Sequence, residues 1–134
     1  FYFEFFPNSF GYGLGFWTWK QSAFKEVHNL ILDKPDEWLE AVDACKQAGF
    51  VYGSRDNYKK DMYPNAPKEL KPYLSAKNME FSYNSFDMNK INSSALIDEI
   101  KLAFDLASPM YTFWAKAYDN MLSKGIIKPE DAMR

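Results

Sequence analysis

Tyr111, Phe113, Trp114 and Tyr118 crowd into the stretch SPMYTFWAKAYDNMLSKG, residues 108 to 125. Aromatic rings at that density serve one of two ends. They widen the buried face of a helix, or one of them shows a flat surface to a cleft, where the C–H face of a sugar ring stacks and polar neighbours bond its hydroxyls. Met110, Trp114, Ala117 and Met121 recur at spacings of 4, 3 and 4, which is the stripe of a core face, with Phe113 and Tyr118 widening it and Tyr111 standing apart. Trp114, near the start of the helix, is where the stacking reading competes most closely with the packing one.

Covalent chemistry has little to work with. Imidazole-based nucleophilic catalysis and multi-histidine metal sites need more than the single histidine, His28, and that residue falls beside Phe24 on a helical face, as an interfacial side chain would. Adjacent carboxylates at Asp36/Glu37, Asp98/Glu99 and Glu130/Asp131 lie near helix starts, where the macrodipole and solvation account for them without an acid–base pair. Cys45 is the only cysteine, so no intrachain disulfide or cysteine-rich zinc site can form. GYGLG at 11 to 15 lacks the helix N-terminus that a phosphate cradle requires. The expectation is a non-enzymatic chain without cofactor or metal.

Charge removes a further class. A formal net charge of -2, with Lys and Asp/Glu interspersed along the chain, gives no basic field for a phosphate backbone, so no nucleic-acid partner is expected. The longest uncharged run, Phe5 to Trp19, contains Pro7, Asn8 and three glycines and falls short of the roughly 20 apolar residues that span a bilayer, so no transmembrane segment is expected. Residue 1 is Phe, with no charged n-region and apolar h-region before it, so the expectation is that any targeting peptide has been cut away or was never present, and the compartment is not read directly. Aromatic residues make up 19% of the chain, more than a core of this size requires, so some of them should be exposed.

The elements that must position these residues follow from pattern. FYFEFF (1 to 6) reads as a buried strand ended by Pro7-Asn8-Ser9. Residues 12 to 19 read as a second, with Tyr12, Leu14, Phe16 and Thr18 on one face and Gly13, Gly15, Trp17 and Trp19 on the other, the glycines leaving room for a close approach. Ser22 caps a helix through Leu32; another follows Pro35, buries Trp38, Leu39, Val42 and Cys45, and stops at Gly49. Phe50 to Tyr52 is extended, and a brief helical turn runs from Ser54 to Lys60. Residues 61 to 92, broken by prolines, hold one or two short helices around 67 to 77. Ser94 opens a helix to Ala107 with Leu96, Ile97, Ile100 and Phe104 inward; Ser108-Pro109 caps the next, Gly125 ends it, and a last helix starts at Pro129. About six helices and two or three strand pieces leave too few strands for a normal sheet. The extended pieces should then pair with another chain or a missing part of this one, or the chain is a mostly helical single domain with a small hairpin.

The order of these motifs resembles the C-terminal part of the extracellular solute-binding proteins of carbohydrate ABC transporters, the group that includes the maltose-binding protein. SPMYTFWAKAYDNMLSKGIIKPEDAM is similar to that family's terminal helix, glycine stop and acidic-led short helix, with Ala132-Met133 in the place of its Ala-Leu-like pair. GYGLGFWTWKQSAFKEVHNLILDKPDEWLEAVDACKQAGFVYGSRDNYKKDM is similar to its glycine-led strand, paired helices, Gly-Phe-like piece and short basic helix. The resemblance implies a helix-rich α/β chain, a single unit that is the C-terminal part of a longer two-lobed protein. It further implies binding of a sugar or oligosaccharide in an interlobe cleft and delivery to a membrane permease, in an extracellular or periplasmic setting with a lipid anchor upstream of residue 1 as one form of attachment. Trp114 matches the family's stacking aromatic, Tyr12 or Trp17 the aromatic near the glycine-led strand, and Arg55 the polar residue after the Gly-Phe piece. The chain departs from the family in lacking almost all of the first lobe. The competing expectation is a non-catalytic accessory subunit that docks on a larger assembly through the aromatic segment 1 to 19, whose removal should leave the helices folded.

Overall fold

Alternating apolar residues in three separate stretches of the chain build one antiparallel sheet. The computed structural model describes residues 1–17 and 20–130. In chain order the elements are β1 (Tyr2–Phe6), β2 (Ser9–Phe16), α1 (Gln21–Asp33), α2 (Pro35–Gln47), β3 (Val51–Gly53), α3 (Lys71–Leu74), β4 (Met79–Ser85), α4 (Ala95–Leu106) and α5 (Ser108–Ser123). Single 3-10 segments, Lys68–Leu70 and Met88–Asn92, lead into α3 and α4.

The sheet order is β1-β2-β4-β3, and every neighbour pair is antiparallel. Phe10, Tyr12 and Leu14 of β2 and Met79 and Phe81 of β4 turn to one face and are buried there. That face meets the helices: the Tyr12 ring packs on Phe104 of α4, Phe16 on Phe24 of α1 and Trp114 of α5, and Phe81 on Trp38 of α2. Burying a large aromatic such as Trp38 or Phe81 contributes about 2–3 kcal/mol each from area removed from water. The fold is a two-layer α/β domain with helices on one side of the sheet.

Four helices stand where periodicity placed them. Both glycine stops hold: Gly49 (φ 86°) and Gly125 (φ 68°) adopt the left-handed backbone that ends a helix without a Cβ penalty. Cys45 is buried, and its surroundings push the thiol up to about 12. Other expectations are corrected. Ser22 and Ser108 lie inside the first turns of α1 and α5, behind Lys20 and Ala107 as N-caps, and no side chain caps either helix. Ile97 faces outward because α4 buries Leu96 and Ala103 instead. No helical turn spans 54 to 60; the segment pairs back on the chain through an Asn57–Ala76 bridge.

The larger correction concerns the sheet. Its fourth strand, β4, lies in the stretch read as irregular, and it pairs with β2 along the whole register from Phe10–Ser85 to Phe16–Met79. The strand pieces therefore find their partners within the chain, neither in another molecule nor in a small hairpin. The described residues form one small domain around one core, with no second lobe among them. Segment 1 to 19 supplies two of the four strands, so its removal would dismantle the sheet instead of freeing the helices. Thr18 and Trp19, placed above on the second strand, lie outside the described residues, as does most of the helix expected from Pro129.

Candidate functional site: an aromatic pocket between β2 and α5

The helix α5 packs against the inner face of β2 near its end and leaves a gap there. Leu14, Gly15 and Phe16 form one wall; Tyr111, Trp114, Ala115, Tyr118 and Asp119 of α5 form the other; Phe1 closes the side. The cavity volume is about 390 Å³. Phe1 is held by ring contacts, its centroid 4.3 Å from Phe104 and 5.6 Å from Tyr111, the latter pair stacked at 15°. Trp114 is only 5% exposed, with Phe16 and Phe81 at 6.0 and 6.1 Å, so it lines the pocket as the edge of the core and not as an open platform.

Two polar atoms in this wall lack partners. The Trp114 Nε1 and the Tyr118 hydroxyl are buried without a hydrogen bond, and the only other such side-chain atom among the described residues is Trp38 Nε1. Leaving a buried donor unsatisfied costs about 1–3 kcal/mol, and native structures hold few of them. Asp119 supplies an exposed carboxylate at the same wall. The gap is thus lined by apolar rings and one exposed carboxylate, and two of its lining residues, Trp114 and Tyr118, carry donors buried without partners.

Trp17 and Arg55 meet on the opposite side of the sheet. The Trp17 indole lies across Gly15, where a Cβ would fall 1.9 Å from a ring carbon, and Trp17 remains 46% exposed. The Arg55 guanidinium stands 5.8 Å from the centre of that ring and 3.7 Å from Glu80 Oε2, and Tyr2 packs at 5.9 Å. Partial burial, then the Glu80 charge, push the Tyr2 hydroxyl up.

Tyr12 belongs to neither group. Its hydroxyl donates to Glu99 Oε1 at 3.2 Å; Lys90 Nζ lies 3.7 Å from the same oxygen and donates to the Tyr83 hydroxyl at 3.3 Å. Burial first, and the Glu99 charge second, hold the Tyr12 phenol well above its ordinary value, while Tyr83 and Glu99 hold the Lys90 ammonium protonated. This network ties α4 to the sheet. Of the four residues singled out in the sequence, only Trp17 and Arg55 come together; Trp114 and Tyr12 are separate inner-face positions. Phe1 and Asp119 carry no signal in the sequence reading, and Tyr118 is read there only as widening the core stripe, although Tyr111, Ala115 and Tyr118 repeat at spacings of 4 and 3, a second stripe beside that of Trp114.

His28 is buried against α3's end. Its Nε2 lies 2.9 Å from the Ala76 carbonyl, which can only accept, so Nε2 carries the proton and Nδ1 accepts from the Tyr63 hydroxyl at 3.3 Å. Burial lowers its pKa below 6.5. No cluster of three or more His, Cys, Asp or Glu able to hold a metal occurs among the described residues, and no helix among them is long and apolar enough to cross a membrane.

The chain matches the family model described as "Conserved hypothetical protein (DUF2461)" over residues 1–113. Neither the curated proteins nor the solved structures contain a match. That family match takes in the whole sheet, α1 to α4 and the first turns of α5 up to Phe113, stopping just before Trp114. The chain belongs to the DUF2461 family of conserved hypothetical proteins.

Proposed function

We propose that the chain is a non-enzymatic binding domain that takes a sugar-sized polyhydroxyl ligand in the pocket between β2 and α5. The observation that carries this reading is a cavity with aromatic walls, two of whose lining residues, Trp114 and Tyr118, hold buried donors that lack partners. The volume of about 390 Å³ falls within the roughly 300–1,000 Å³ of small-molecule sites. Tyr111 and Phe1 offer ring faces at the mouth, Asp119 accepts from ligand hydroxyls, and a small outward turn of the Trp114 and Tyr118 rings gives the ligand oxygens their N–H and O–H. Binding takes place within one domain, without closure of two lobes. Delivery to a membrane permease and an extracellular or periplasmic setting extend the proposal and rest on the sequence resemblance alone.

Calorimetric titration with a panel of mono- and oligosaccharides, alongside Trp fluorescence, tests the reading. A saturable heat that weakens at least about tenfold in Tyr111→Ala and in Asp119→Asn is expected. Absence of heat across the panel, or affinity unchanged in both variants, overturns it.

A second reading, docking on a larger assembly, is favoured by one observation: Phe3, Phe5 and Phe6 stay exposed on β1, which is an edge strand. Unpaired backbone beside exposed rings is a template for an added strand. Phe5→Ser with Phe6→Ser should abolish co-purification of a partner while the fold persists; retained association sinks this alternative.

A further inference from the structure

The chain from Tyr58 to Ser75 folds around a second concavity, of about 670 Å³, remote from the aromatic pocket in its lining residues. Tyr58, Met62, Pro72 and Leu74 give it apolar surface; Lys59, Lys60, Lys68 and Lys71 give it charge. Between Arg55 and Lys77 the sequence places six cations against three carboxylates, in a chain whose net charge is -2. Two of those carboxylates are occupied: Asp61 by Lys71 at 2.7 Å and Asp56 by Lys77 at 3.4 Å. Lys59, Lys60 and Lys68 have no carboxylate partner among the described residues.

The groove is also held open by its own bonds. The Tyr58 amide donates to the Ser75 carbonyl at 2.7 Å and its hydroxyl to Gln21 Oε1 at 3.0 Å, while Lys71 Nζ donates to the Tyr63 carbonyl and Tyr63 in turn bonds His28. A preformed groove spares a ligand the entropy of ordering the loop.

We propose that this groove docks a short acidic segment of a partner protein, an extended peptide in which carboxylates alternate with an apolar side chain. Lysine ammoniums on flexible stems suit carboxylates spread along a strand, and the exposed Met62 beside Tyr58 suits an apolar side chain of variable shape. A nucleic acid fits less well, because an acidic chain repels a long polyanion. Arg55, the one arginine among the described residues, is already engaged by Glu80 and Trp17.

Fluorescence anisotropy with a fluorescein-labelled peptide alternating glutamate and leucine tests the assignment. Saturable binding is expected, weakening on going from low salt to about 0.15 M as the Debye length contracts. A matched peptide with lysine in place of glutamate should not bind. Joint Lys59→Glu, Lys60→Glu and Lys68→Glu should weaken binding at least about tenfold, the neutral Lys→Gln set should fall between, and Lys101→Glu on α4 should leave it unchanged. Equal binding of the lysine peptide, retention of affinity in both triple variants, or tighter binding of a single-stranded oligonucleotide than of the acidic peptide overturns the proposal.

Discussion

The two faces of β2 are built on opposite rules. Inward, Phe10, Tyr12 and Leu14 are buried, and side-chain volume holds the strand against the helices. Outward, Gly11, Gly13 and Gly15 present no side chain at all, and neighbours have moved into the space: a Cβ at Gly13 would fall 2.1 Å from the Phe81 carbonyl oxygen, and one at Gly11 2.3 Å from Asn84 Oδ1. One face is stabilised by what it carries and the other by what it omits. Additions and deletions of atoms should therefore have opposite meanings on the two sides.

Removing atoms from the inner face should give the largest effect. Phe10→Ala, at a fully buried site, should lower the unfolding free energy in urea by about 3–5 kcal/mol. A loss below about 1 kcal/mol would mean the inner face is not the packing surface described. Adding one methyl group outside should come next: Gly13→Ala meets backbone on β4, which cannot rotate away, and should destabilise by about 3 kcal/mol. Melting behaviour like that of the unaltered chain would break the comparison.

The sealed state of the inner half can also be read with protons. His28 has a folded pKa lowered by burial, so above its ordinary value of 6.5 it leaves stability independent of pH. As pH falls below 6.5 the unfolded histidine takes up a proton that the buried ring resists, and stability declines until the folded pKa is passed. Urea melts at neutral pH and near the lower end of that window should show this decline, and His28→Asn should flatten it; an equal slope in the variant would mean that the ring is open to water. The smallest effect is expected at Gly15→Ala. There the obstacle is the Trp17 indole, a side chain already half in solvent, which can swing aside for about 1 kcal/mol or less, with a visible change in Trp emission.

Helices were legible because each carries several consistent cues. α2 has a proline at its first turn, Asp36 and Glu37 beside it, a four-residue apolar stripe and a glycine stop, so no single error displaces it. β4 carries only one cue, the alternation of Met79, Phe81, Tyr83 and Ser85 inward with Glu80, Ser82 and Asn84 outward, and the prolines upstream mask it. Missing that one strand turned a four-stranded sheet into unpaired pieces. Trp114 illustrates the limit for the site: its stripe says that it faces something apolar, yet whether that is core or cleft depends on how closely α5 meets Leu14 and Phe16, and side-chain fit across distant elements has no local signature. Trp17 and Arg55 were each noticed, but their meeting required β3 and β4 to be in register beside β2.

The long-range pairing of β2 with β4 has a consequence for how the protein is made. Phe10 waits opposite Ser85, so on the ribosome the first hairpin emerges well before the strand that completes its sheet. Until synthesis reaches that point, FYFEFF and the apolar side of β2 are presented to the cytosol or translocon as a sticky ribbon, and closure must bridge most of the domain's length. A nascent chain stalled before residue 79 should accordingly be a client for holdase chaperones, released once β4 zips into place.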